Sequence, residues 1–165
     1  MQIIDWLAKQ FDRETQTTRK HLERLPNDKL DWRPHEKSYT AGELASHLVE
    51  CIAWTTEVFT KSGIDIDPET YKPYKAVSTT DLSARFEEVV ADGKRVLAAA
   101  DDESAMQTWS LKVKGHTLFE RPRADVLNDF TLHHLIHHRG QFSVYLRLMD
   151  VPVPQTYGPS ADEPM

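Results

Sequence analysis

Apolar side chains in this chain recur at three- and four-residue steps through four long segments, and that periodicity constrains the fold more than any other feature. In the first segment, Ile3, Trp6, Leu7, Phe11, Thr15, Thr18 and Leu22 share one face, which predicts a helix from Ile3 to about Leu25, ended by Pro26-Asn27-Asp28. The second opens on Thr40 with Glu43 three residues on, the T-x-x-E of a capping box. Its stripe runs through Leu44, His47, Leu48, Cys51, Ile52, Val58 and Phe59 to Ser62-Gly63. The third starts at Ser78 or Thr80, and Leu82, Phe86, Val89, Val90, Val96 and Leu97 carry it to Ala100. Gly93 weakens it by ~1 kcal/mol relative to alanine. The fourth follows Pro122, a residue suited to a first helical turn, and Val126, Leu127, Phe130, Leu135, Ile136, Val144, Tyr145, Leu148 and Met149 take it to Asp150.

The connections read differently. Leu30 to Tyr39 is irregular, with Asp31-Trp32-Arg33-Pro34 as an extended turn. Ile64 to Val77 is expected to be loop, with Pro68 and Pro73 as breakers. The period switches to two at Trp109, Leu111 and Val113, and Lys114-Gly115 with Thr117-Leu118-Phe119 completes a short β-hairpin. The expected fold is therefore all-α, a four-helix bundle with a short hairpin between helices three and four.

At 165 residues the chain suits one domain over 1–165, with residues 151–165, which hold four prolines and one glycine, as an extended tail. A formal charge of −6 lacks the electrostatic footprint of a nucleic-acid binder. No run approaches the ~18 apolar residues that a membrane helix needs. The N-terminal residues lack the charged head and apolar middle of a signal peptide, so a cytoplasmic location is expected. One cysteine, Cys51, excludes an internal disulfide and multi-cysteine metal sites.

Four of the eight histidines fall between positions 133 and 138. On a helix they form two i, i+4 pairs, His133/His137 and His134/His138, each with Cβ atoms ~5–6 Å apart, close enough to converge on one ion. The glutamate of an H-E-x-x-H motif is absent. The stripe Leu127, Phe130, His134, His138, Gln141, Tyr145, Leu148 joins His134 and His138 to the apolar face and puts His133 and His137 on its flank. His47, on the apolar stripe of the second helix, is the candidate third ligand. Three protein ligands with an open position make the catalytic kind of zinc geometry. Gln141 could hydrogen-bond a ligand histidine. Cys51 lies one turn after His47 and could reach the same cavity, although such a cysteine reads first as a small core residue. No general base is evident; Glu43 and Glu50 flank the second helix.

Leu30-Asp31-Trp32-Arg33-Pro34, Thr40-Ala41-Gly42-Glu43-Leu44-Ala45-Ser46-His47, His134-Leu135-Ile136-His137-His138-Arg139-Gly140-Gln141, Tyr145-Leu146-Arg147 and Tyr157-Gly158-Pro159-Ser160-Ala161-Asp162-Glu163 occur in this order over nearly the whole chain. The set resembles DinB-like proteins, grouped with YfiT-like metal-dependent hydrolases. The resemblance implies an up-down-down-up four-helix bundle, often dimeric. It implies a divalent metal, commonly zinc or nickel, held by three histidines. Carried over, these are His47, His134 and His138, with His137 the alternative to His138. Relatives of known chemistry include transferases and isomerases that use bacillithiol or mycothiol. The expectation is thus a metal-dependent enzyme that activates water or a low-molecular-weight thiol for S-transfer or hydrolysis of a small molecule. The alternative is a non-catalytic, metal-stabilised helical dimer acting as a stress-related sensor or interaction module. Neither membrane nor nucleic acid is an expected partner.

Overall fold

The long amphipathic segments all form helices, and local signals set where they begin. The structure, a computed structural model, describes residues 2–164. α1 (Ile3–Leu22) buries Ile4, Leu7, Phe11 and Leu22 on one face, and its buried Thr15 and Thr18 hydroxyls donate back to the carbonyls of Phe11 and Glu14 at 2.8 Å. α2 (Ala41–Thr60) starts at the predicted capping box: the Thr40 backbone N–H donates to Glu43 at 2.8 Å, and the Glu43 N–H donates to the Thr40 hydroxyl at 3.1 Å. It is the most enclosed helix, with Leu44, Leu48 and Ile52 all but sealed from solvent. α3 (Thr79–Ala99) is capped by Ser78, whose hydroxyl accepts from the Asp81 N–H at 3.1 Å. It packs Leu82, Phe86, Val89, Val90 and Leu97 into the same core.

Gly93 has a purpose that propensity alone hides. A Cβ there would lie 2.4 Å from Cζ of the buried Phe11, so the glycine permits close contact between α3 and α1. Gly140 does the reverse of what a packing role would need: a Cβ there meets nothing within 4 Å.

The all-α expectation is corrected by a mixed three-stranded sheet in the order β1-β2-β3. β2 (Thr108–Val113) and β3 (His116–Pro122) are the expected hairpin, antiparallel, with Lys114 and Gly115 between paired Val113 and His116. Both turn residues have positive φ, 48° and 79°, the two-residue turn whose twist matches that of the strands. The expected loop after α2 instead begins with a strand, β1 (Gly63–Ile66), which runs parallel to β2 from Gly63↔Ser110 to Ile66↔Val113. The chain returns between them through α3 and the short α4 (Asp102–Ala105).

The last helical stretch is composite. α5 (Arg123–Asp125) leads into a π-helical segment, Val126–His133, and then into α6 (His134–Leu148). The wide turns end where the histidine pair begins, a placement common at functional sites. A satellite core of Val58, Trp109, Leu111 and Val126 joins the sheet to this segment. Trp6, Val144 and Leu148, on the predicted apolar stripes, are exposed. The tail is packed rather than loose: Asp162 pairs with Arg147 and Glu163 with Arg24. No helix among the described residues is long and apolar enough to cross a membrane.

Candidate metal centre

α2 brings His47, and the first turns of α6 bring His134 and His138, to one place. Ring centroids lie 4.5 Å apart for His47–His138, 4.6 Å for His134–His138 and 5.0 Å for His47–His134. Nε2 of His47 is 3.3 Å from Nε2 of His134. Two nitrogens bound at ~2.0–2.1 Å to one tetrahedral ion stand ~3.3–3.4 Å apart.

The outer nitrogens of His47 and His138 each face a side-chain oxygen. The His138 Nδ1–H donates to Gln141 Oε1 at 2.8 Å, and the Gln141 amide N–H donates to His137 Nε2 at 3.1 Å. Nδ1 of His47 faces Glu50 Oε2 across 3.5 Å. A neutral imidazole carries one proton, so with Nδ1 protonated the Nε2 lone pairs of His47 and His134 face each other across 3.3 Å. Carboxylate, carbonyl and amide oxygens are the usual partners of metal-bound histidines, because they fix ring rotation and tautomer.

Burial and neighbouring rings favour the neutral form of His134 and His138. Burial lowers the His138 pKa to about 4, opposed by the Gln141 hydrogen bond and reinforced by His47 and His134. Burial and the neighbouring His47 also lower that of His134. Neutral imidazole is the form that ligates metal. The residues present therefore fit a divalent ion of borderline softness.

Cys51 is buried one turn after His47, and its sulfur lies within 4.8 Å of a ring nitrogen on each of His47 and His134. Burial pushes its thiol up to about 12, with Glu50 adding to the effect. A cavity of about 300 Å3 opens on His47, Cys51 and His134, with Tyr39, Tyr71 and Phe130 among its walls. Phe130 stacks edge-on to Trp54 at 5.0 Å and lies 5.8 Å from the His134 ring, which makes that wall apolar.

The structure brings together His47, His134 and His138, and Gln141 meets His138 as its position on the helix suggested. His137 is exposed, and its ring meets that of His138 at 4.9 Å. His133 is also exposed, 3.4 Å from Asp129. His35 and His116 are exposed, whereas His21 is sealed in the core with Nδ1 2.9 Å from the Thr17 carbonyl.

Two further groups surround the histidines, the first named in the sequence only as flanking the second helix and the second given no role there. The first is Glu50, whose carboxylate accepts from the Tyr74 backbone N–H at 2.8 Å and the Tyr71 hydroxyl at 3.3 Å, besides facing His47. Its i+3 spacing from His47 was the available signal. The second is a buried ion pair behind the histidines. Arg139 follows His138, turns to the opposite face and is 1% exposed. It donates to Glu14 Oε2 at 2.7 Å, to the Glu14 carbonyl at 3.1 Å, to the Thr18 hydroxyl at 3.2 Å and to the Tyr157 hydroxyl at 2.7 Å. Burial alone would raise the Glu14 pKa, but Tyr157 and Arg139 hold it below the ordinary carboxylate value. This network ties α6, α1 and the C-terminal tail together and fixes the rotation of the turn that carries His138.

A model of the DinB family matches residues 2–165. The chain is 28% identical over 170 residues to an uncharacterized Bacillus subtilis protein, YrdA, a match that spans 98% of this chain and 92% of that relative. Among solved structures it is similar to a DinB-like protein from Bacillus cereus, with TM-score 0.70 and 22% identity over 92% of this chain and 95% of the other. It is also similar to a DinB-like protein from Bacillus subtilis, YjoA, with TM-score 0.71 and 19% identity over 92% and 97% of the two chains. At these identities the two structures show a shared fold.

Proposed function

The chain belongs to the DinB family, and from that membership and the imidazole geometry we propose that it is a metal-dependent enzyme whose ion is held by His47, His134 and His138. One observation carries the reading: the three ring centroids lie within 4.5–5.0 Å of one another, with Nε2 of His47 and His134 3.3 Å apart and side-chain oxygens beside the outer nitrogens of His47 and His138. Such a donor set suits zinc or nickel. When bound with one position open, the ion lowers the pKa of an adjacent water or thiol toward neutrality.

The chain's own residues supply the remaining functions. Glu50 orients His47 and lines the cavity, where its carboxylate can take up a proton released by the nucleophile. Gln141 holds the His138 ring. Trp54 and Phe130 exclude water from one side. The reaction class is S-transfer from a low-molecular-weight thiol, such as bacillithiol or mycothiol, to an electrophilic small molecule, or hydrolysis. The wider reading is a single cytoplasmic domain, its long helices in an up-down-down-up bundle, working as a homodimer.

The test is turnover by zinc- or nickel-loaded protein, with a thiol and a model electrophile or with model esters and amides. His47→Ala should remain folded by circular dichroism and lose turnover. Undiminished turnover in that variant would contradict the assignment.

Cys51 supports a second reading. A sulfur beside two of the ring nitrogens could fill the open position, which would give a closed, structural site in a non-catalytic sensor or interaction module. Cobalt-loaded protein separates the two. A thiolate-to-cobalt charge-transfer band that disappears in Cys51→Ser supports the closed site; its absence supports the open one.

A further inference from the structure

A second cavity, of about 540 Å3, adjoins the one at the imidazoles and shares the wall formed by Glu50, Trp54, Ile66 and Tyr71. Its size is that of a small-molecule site. The two ends differ in chemistry. Along the shared wall, Glu50 is negative and already accepts from Tyr71 and Tyr74. Val49, Ala53, Trp54 and Ile64 make the middle apolar. The rest of its lining carries Glu57 and three cations, Lys61, Lys72 and Arg85, none of which lines the imidazole cavity. Lys61 is neutralised by Glu57 at 2.5 Å. Arg85 gives one guanidinium nitrogen to Glu88 at 2.7 Å and keeps its other donors. Lys72 has no ion-pair partner among the described residues.

We propose that this cavity binds the substrate of the site as an amphipathic organic anion, with its anionic end at Lys72 and Arg85 and its apolar body against Trp54 and Ile64. Glu50 sets the orientation, because it repels an anion from the shared wall and so turns the uncharged reactive end toward His47 and His134. The direction of the reactive end rests on the metal-site reading above; the anion subsite does not.

The test uses two fluorescent probes of similar body, anilinonaphthalene sulfonate and uncharged phenylnaphthylamine, titrated against metal-free and zinc-loaded protein. Lys72→Ala combined with Arg85→Ala removes one exposed and one partly buried charge, both outside the hydrophobic core. The sulfonate should bind wild type with or without zinc, and the double variant should bind it about tenfold more weakly, the effect of two lost charge contacts. The uncharged probe should be unaffected by the double variant. Ala53→Trp, which fills the middle of the cavity, should weaken both probes. Sulfonate binding that is absent in wild type, unchanged in the double variant, or lost in parallel with the uncharged probe would overturn the proposal. The metal reading fails separately: zinc retained by His47→Ala would sink it while leaving the anion subsite intact.

Discussion

Replacing Arg139 by methionine would leave the Glu14 carboxylate in the core with the Tyr157 hydroxyl at 2.7 Å and the largely exposed Arg13 guanidinium at 3.2 Å as its remaining side-chain donors. Glu14 and Arg139 are both about 1% exposed, and Arg139 now makes four hydrogen bonds there. Removing one partner of a buried pair costs ~3–5 kcal/mol, most of it for the charge left behind. At roughly 2–4 °C per kcal/mol for a chain of this size, Arg139→Met should lower Tm by about 6–20 °C. Combining it with Glu14→Leu removes the stranded charge, and the double variant should recover most of the loss. Urea titration of the metal-free wild type, both single variants and the double variant measures the cycle. A single-variant loss under ~1 kcal/mol, or simple addition in the double variant, would refute the idea that this pair clamps α6 through its charge.

Other consequences are smaller or more local. Gly93→Ala should destabilise by ~1–3 kcal/mol, because the new methyl meets Phe11, whereas Gly140→Ala, facing open space in mid-helix, should stabilise by up to ~1 kcal/mol; denaturant midpoints give both signs. Burial holds the His21 pKa below 6.5, so the unfolded chain takes up a proton that the folded chain refuses as pH falls. Stability should therefore drop from about pH 6.5 downward, with a shallower slope in His21→Gln across that range of the denaturation profile. Glu50→Gln should keep the fold and weaken zinc affinity by roughly 10–100-fold in a chelator competition, because His47 loses its carboxylate partner.

The helices were legible because several independent signals agree on them. The Thr40/Glu43 box marks one start, Ser78 another, and the apolar stripes give length and face. The hairpin was legible because the period changes at Trp109 and the turn pair Lys114-Gly115 contains glycine. β1 was not: four residues carry no usable period, and Gly63–Ile66 is a strand because β2 pairs with it across a long stretch of chain. The π-helical turns were hidden as well. Val126, Leu127 and Phe130 fit an α-helical stripe, and packing against α2 and the satellite core selects the wider turn.

At the site, the stripe through Leu127, Phe130, His134 and His138 distinguished the converging pair from the outward one, and the apolar neighbours of His47 marked the third ring. Cys51 and Glu50 lie one turn from His47, but whether such residues face a site depends on a few tens of degrees of helix rotation. The partnership of Arg139 with Glu14 and Tyr157 joins three distant segments, a relation that no local pattern carries.

The most direct test of the three-imidazole centre is elemental mass spectrometry of the untagged protein after reconstitution with zinc or nickel and gel filtration. Wild type should hold about one ion per chain. His47→Ala and His138→Ala should lose it, and His137→Asn should keep it, since that ring lies outside the converging set. A wild type that binds neither metal, or a His47→Ala variant that retains the full ion, would contradict the account.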